Sequence, residues 1–258
     1  MNRKTILTLS AFLLLFCSCS HLYEPALYRQ NIAYMPKPAS FDSVKTATYV
    51  SVGYNYYSNA HYDDFFHSGQ VDLGRGYVFN NFNLALGAFG VLGEYQNEDL
   101  NKKEPNYFSN TFFGGYGGRA SADFFENSGN ADFRIIGIEM AYSHEFGAYA
   151  NDLKYLDTQP HYFVDPRTDL FVIGLTTEVI FHSIRNPNIQ HGFRYFLGTT
   201  LGQNELDNSF YKYSNPAAKI FHEFFPRITY FFKLKNYFGI VETGGLNMLP
   251  SIRVGYKF

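Results

Sequence analysis

The chain has 258 residues, with 21 Lys and Arg against 23 Asp and Glu and a formal charge of −2. That balance excludes the basic surface of a nucleic-acid binder, and two Cys are too few for a disulfide framework or a cysteine zinc site. A mean hydropathy of −0.22 excludes a bundle of membrane helices, whereas 19% aromatic residues (28 Phe, 22 Tyr, no Trp), 22 Gly and only 17% charged residues fit a transmembrane β-barrel.

The first residues read as an address. Arg3 and Lys4 precede an apolar run from Ile6 to Phe16. It is too short to span a bilayer, which takes about 20 residues, and fits the core of a secretory signal. Phe16-Cys17-Ser18-Cys19 follows. Small Ser18 before Cys19 resembles the end of a bacterial lipobox; Cys17 has bulky Phe16 before it. The resemblance implies cleavage after Ser18, a signal peptide over 1–18, and lipidation at Cys19.

Residues 19–45 carry Pro25, Pro36 and Pro38 and hold no period of 2 or 3.6. They are expected to form a lipidated, extended periplasmic tether. A Cys followed by a short Tyr/Pro/Asn stretch, then Lys and a Val/Tyr/Gly strand, resembles small Bacteroidetes lipid-anchored outer-membrane proteins that continue into a barrel. Ser20-His21-Leu22-Tyr23 lacks acidic residues after the Cys, which by that resemblance favours the periplasmic leaflet. Asp42-Ser43-Val44 resembles that phylum's O-glycosylation site.

From Thr46 the period becomes two. Val50, Val52, Tyr54 and Tyr56 alternate with Tyr49, Ser51, Gly53 and Asn55; Ile136, Ile138, Met140 and Tyr142 alternate with Gly137, Glu139, Ala141 and Ser143. Strands are predicted at 46–58, 70–79, 82–96, 111–125, 132–149, 170–184, 191–203, 225–234, 237–244 and 248–258, the faces of 237–244 being inseparable by pattern. Connections alternate in length. Asn80-Asn81, 126–131, 185–190 and Lys235-Asn236 are short and rich in turn formers; of 59–69, 97–110, 150–169, 204–224 and 245–247, four are long. Short periplasmic turns and long outer loops, with both ends of the barrel periplasmic, need an even strand number. The expected fold is all-β: an antiparallel up-and-down transmembrane barrel of about ten strands over 46–258. A soluble barrel with the apolar face inward is the alternative. Gly and Ala on the second face, aromatics near strand ends and the terminal Phe258 favour the membrane version. Phe258 also resembles the signal read by barrel-assembly machinery.

The second face collects Arg119, Asp123, Glu139, Glu145, Glu178, His182, Arg194, Arg227, Lys233, Arg253 and Lys257. Buried charges persist only when paired, so a lumen network is expected, with Arg119 or Arg194 facing Glu139 or Glu178. A narrow polar channel is the alternative. Ser143-His144-Glu145 is the nearest approach to a nucleophile and base, but adjacent strand residues point apart. His61, Asp63, Asp64 and His67 could ligate a metal in the first loop, though no spacing enforces it. Gly114-Gly115-Tyr116-Gly117-Gly118 precedes no helix, so it lacks a phosphate site's helix N-terminus; close backbone packing suits it. No cofactor and no catalytic residues are expected. The expected role is non-enzymatic, structural or interactive, in the cell outer membrane. Its expected partners are outer-membrane lipids, the barrel-assembly machinery during biogenesis and another outer-membrane protein. A narrow passive channel and a lipid- or peptide-processing enzyme are the alternatives.

Overall fold

A computed structural model describes residues 22–59, 64–97, 110–159, 163–186, 188–202, 224–244 and 250–258. The signal peptide and Cys19 lie outside the described residues, as do His61 to Asp63 and most of 97–110 and 204–224.

Ten antiparallel strands form the wall: β1 Thr46–Asn59, β2 Asp64–Val78, β3 Phe82–Asn97, β4 Thr111–Ser128, β5 Ala131–Gly147, β6 Asp169–His182, β7 Ile189–Thr200, β8 Phe225–Leu234, β9 Tyr237–Gly244 and β10 Ser251–Lys257. Each pairs with its neighbours in sequence, and β10 closes the ring on β1 with Val254 opposite Val52. The predicted alternation of connections holds for three of the five loop-side connections: those after β3, β5 and β7 are long, while those after β1 and β9 are short. Residues 79–81, 129–130, 183–188 and 235–236 are the turns of one end, which also carries the start of β1 and the C-terminus. The longer connections gather at the other end. Gly129 and Lys235 adopt left-handed φ of 61° and 56° in their tight turns.

Alternation along each strand sorts the side chains. Leu86, Ile138, Leu175, Ile228 and Ile252 are exposed on the outside, while Arg119, Glu139, Arg194 and Arg253 are buried within. This is the reverse of a soluble barrel, whose apolar face fills its interior. Aromatic rings mark both rims. Phe79, Phe82 and Phe124 associate at the turn end, joined by Tyr237, Tyr256 and Phe258; Phe112, Tyr116 and Phe146 cluster at the loop end. From Phe112 to Phe124 along β4 is about 40 Å at ~3.3 Å per residue. With the tilt usual in barrels, that is about 30 Å of height, the thickness of a bilayer's hydrocarbon core.

Three expectations need correction. First, the connection after β5 contains a helix, α1, Ala148–Asp157. Tyr149, Ala150, Leu153 and Leu156 make one buried face at helical spacing, which a search for period two passes over. Gly147, at φ 119°, makes the sharp exit from strand to helix; a Cβ there would lie 2.8 Å from the Phe112 carbonyl. Second, β2 starts at Asp64 rather than 70, so the first connection is far shorter than 59–69. Third, residues 24–42 are no free tether. Pro25–Tyr28 and Asn31–Ala39 are buried inside the barrel. A chain without periodic pattern reads as a linker when no partner is visible in sequence; here the wall provides the partners.

Candidate functional site: the occupied interior

The segment from Leu22 to Lys45 runs through the barrel from the loop end to the turn end. At the loop end, Leu22 and Tyr23 pair in parallel with Phe163 and Val164, and the Asp165 amide donates to the Tyr23 carbonyl at 2.9 Å. Tyr149 Oη of α1 donates to the Glu24 carbonyl at 2.8 Å. A tight turn follows, with Tyr28 N donating to Pro25 O and Asn31 N to Leu27 O. Arg29 takes a left-handed φ of 60° there. The chain then extends down the lumen. At the turn end Ser40 N donates to Asp132 Oδ2 at 2.8 Å, and Val78 N donates to Lys45 O at 2.8 Å.

An extended chain in a closed interior has no neighbouring strand for its amides and carbonyls, and leaving them unpaired is costly. The wall's charged side chains meet that need. Arg119 Nε donates to Asn31 O at 2.6 Å, and Arg227 donates to the carbonyls of Ile32 and Arg29. Arg253 donates to Tyr34 O at 2.9 Å and Arg134 to Pro38 O at 3.1 Å. In the other direction, Glu145 accepts from Leu27 N and Glu242 from Tyr34 N, both at 3.0 Å. Pro36 and Pro38 bring no N–H, so the deepest stretch has fewer donors to satisfy.

Ion pairs hold those groups in place. Arg194 takes Glu139 through two guanidinium nitrogens, one at 2.9 Å. Arg119 pairs with Asp72, and Arg253 bridges Asp72 and Glu242 at 3.4 and 2.5 Å. Arg134 pairs with Glu178 at 2.5 Å, and Glu178 also accepts from Tyr34 Oη. The segment adds its own charges. Lys37 Nζ reaches Asp123 at 2.5 Å and Ser121 at 2.7 Å. Asp42 accepts from Gln190, Lys233 and Lys257 at 2.7, 3.2 and 3.0 Å.

Small wall residues make the room. A Cβ on Gly115 would lie 2.2 Å from Leu27 Cδ1, one on Gly87 3.2 Å from Met35 Sδ, and one on Gly76 2.9 Å from Pro38 Cδ. Gly115 of the glycine run therefore serves close packing, against this segment. Above it, Leu27, Phe66, Tyr95, Phe113, Tyr149, Leu153 and Leu156 form an apolar cap under α1. Cavities beside the segment measure about 20, 10 and 20 Å³, the room of roughly one water each.

The seven network residues expected from sequence, Arg119, Asp123, Glu139, Glu178, Arg194, Arg227 and Arg253, are all buried in the interior. Of the expected pairings Arg194 with Glu139 is present; Arg119 takes Asp72 and Glu178 takes Arg134 instead. Arg134 escaped notice because a bulge turns both Ile135 and Ile136 outward and so reverses the parity before Gly137. Glu242 lies in 237–244, whose faces the pattern does not separate; Asp72 alternates with Val71 and Leu73 on the inner face of β2 and is not among the expected network residues. His182 packs against Phe41 with tilted rings whose centroids are 4.2 Å apart.

The remaining candidates separate. Ser143 is buried inside and accepts from Asn31, while His144 faces out and bonds Asp169 at 3.0 Å. Asp64 points inward to Tyr95 and Asn97, whereas His67 bonds Tyr54 on the outside. Those two cannot share a metal. Among the described residues no group of three or more His, Cys, Asp or Glu is placed to hold one. Ser43, of the glycosylation-like triplet, is exposed.

No family model and no curated protein matches the chain. Solved structures similar to it include the transport unit of the autotransporter AIDA-I from Escherichia coli, at 8% identity and a TM-score of 0.39, covering 88% of this chain and 93% of that one. Neisserial surface protein A is similar at 12% identity and a TM-score of 0.35, covering 83% and 96%. The NanC porin is similar at 14% identity and a TM-score of 0.35, covering 82% and 99%.

Proposed function

We propose that this chain is a non-enzymatic outer-membrane barrel, sealed by its own N-terminal segment, whose role is structural or interactive. The observation that carries this reading is the occupied lumen: residues 24–42 fill it and are bound along their length by wall side chains. An outward apolar band about 30 Å tall between two aromatic rims supports a bilayer location. Long connections at one end, with short turns and the C-terminus at the other, support loops facing the cell exterior. The apolar run ending at Ser18-Cys19 supports export and an acyl anchor on Cys19. A barrel closed to solutes acts through its surface, so its partners are envelope lipids and another outer-membrane protein met through the loops or the wall. Ser143 and His144 lie on opposite sides of the wall, which argues against that pair as a nucleophile and base.

Planar-bilayer recording on the purified full chain tests the reading. No steady current is expected. Steady single-channel currents whose ion selectivity changes in Glu139→Gln or Glu178→Gln would overturn it in favour of a passive channel.

A further inference from the structure

We propose that the barrel is built around its own N-terminus, so that the chain before Leu22 emerges at the loop end and the acylated Cys19 is displayed on the outside of the cell. The proposal rests on the outer-membrane orientation and the Cys19 anchor argued above.

The direction of threading is fixed at both ends. Tyr23, Glu24 and Leu27 bond to Asp165, Tyr149 and Glu145, which belong to the loop end. Ser40, Asp42 and Lys45 bond to Asp132, Lys257 and Val78 at the turn end, where β1 begins. Cys19 precedes Leu22 by three residues, a separation that spans no more than about 11 Å. The hydrocarbon core is about 30 Å thick. Acyl chains on Cys19 therefore reach only the leaflet on the loop side. This is the opposite leaflet from the one the residues after Cys19 suggest by themselves.

Threading also sets an order of assembly. A lipid-bearing end cannot be drawn through a lumen that the segment already fills, where the cavities beside it measure about 10 to 20 Å³. The wall must close sideways around the segment instead. The seam between β1 and β10 joins the first and last strands and, like the pairing of β9 with β10, holds only six residue pairs, whereas β1 and β2 pair from Thr46 to Asn59. That seam is the place where the ring shuts, with the segment already inside.

Epitope insertions on intact cells test the display: one after Ser20, one within 204–224 as the loop-side reference, and one at Gly129-Asn130 as the turn-side reference. The first two are expected to label without permeabilisation and the third only after it, with Cys19→Ala losing metabolic acyl label. If the 204–224 tag labels on intact cells while the Ser20 tag does not, the threading is wrong and the orientation stands. If only the Gly129-Asn130 tag labels, the orientation itself is wrong and the display falls with it. An unlabelled wild-type chain removes the anchor and overturns the proposal.

Discussion

At the scale of single residues, the interior depends on charges that are never left alone. Glu139 and Arg194 are each almost fully buried and form a two-nitrogen pair. Removing one partner strands a charge in a place water cannot reach, at about 3–5 kcal/mol, whereas replacing both with apolar groups costs much less. Glu139→Leu and Arg194→Met are therefore each expected to lower the unfolding midpoint in detergent by more than the double variant does. A double variant at least as unstable as the worse single one would show that the pair acts through other contacts, such as Arg194 with Thr229 at 3.1 Å. Gly115 marks the opposite requirement, which is absence of atoms. Gly115→Val pushes into Leu27 and should cost about 1–3 kcal/mol by overpacking. Leu27→Ala in the same chain should recover part of the loss if that contact is the cause; no recovery in the melting curve would point to strain within β4 instead.

At the scale of elements, the wall and the segment are two partners with different demands. Each wall strand satisfies its backbone through the ladder and needs only an apolar outer face. Ile138 on β5 is 49% exposed on that face. Ile138→Lys should cost about 2–4 kcal/mol when the protein is folded into lipid vesicles. An unchanged unfolding midpoint there would mean the outer face does not meet lipid. The segment has no ladder, and its lower end hangs on Asp42. Asp42→Asn leaves Lys233 and Lys257 without their carboxylate and is expected to lower the unfolding midpoint in detergent, with Lys233→Gln in the same chain recovering part of the loss. An unchanged midpoint in Asp42→Asn would show that the lower end is held by other contacts, such as Ser40 with Asp132.

At the scale of the whole molecule, the barrel and its contents are one cooperative object. The guanidiniums of Arg119, Arg134, Arg227 and Arg253 are spent partly on carbonyls of the segment. Were the segment withdrawn, water would have to replace its carbonyls at those groups and the packing of Leu27, Ile32 and Met35 against the wall would be lost, so the emptied lumen would be a less stable state than the full one. This is why silence in the bilayer recording is expected of the full chain even though its lumen is lined by charge. The α1 cap adds a second barrier at the loop end, its buried face closing over Phe66, Tyr95 and Phe113.

Alternation at period two, turn formers at the short connections and the parity of charge and aliphatics determined the ten strands and, within about three residues except at the start of β2, their limits. They also determined which face of most strands carries Arg119, Glu139, Arg194 and Arg253. This much is local, because a strand's two faces are written along its own residues. Arg134 was hidden by a bulge, since one extra residue reverses the parity of everything before it. Only the tertiary structure decided the fate of residues 24–42. Their side-chain hydrogen bonds with the wall join residues 84 to 219 positions apart, as with Tyr34 and Glu242 or Asn31 and Ser143. An extended chain satisfied by side chains carries no period, so nothing in its own residues separates a tether in water from a segment held inside a barrel.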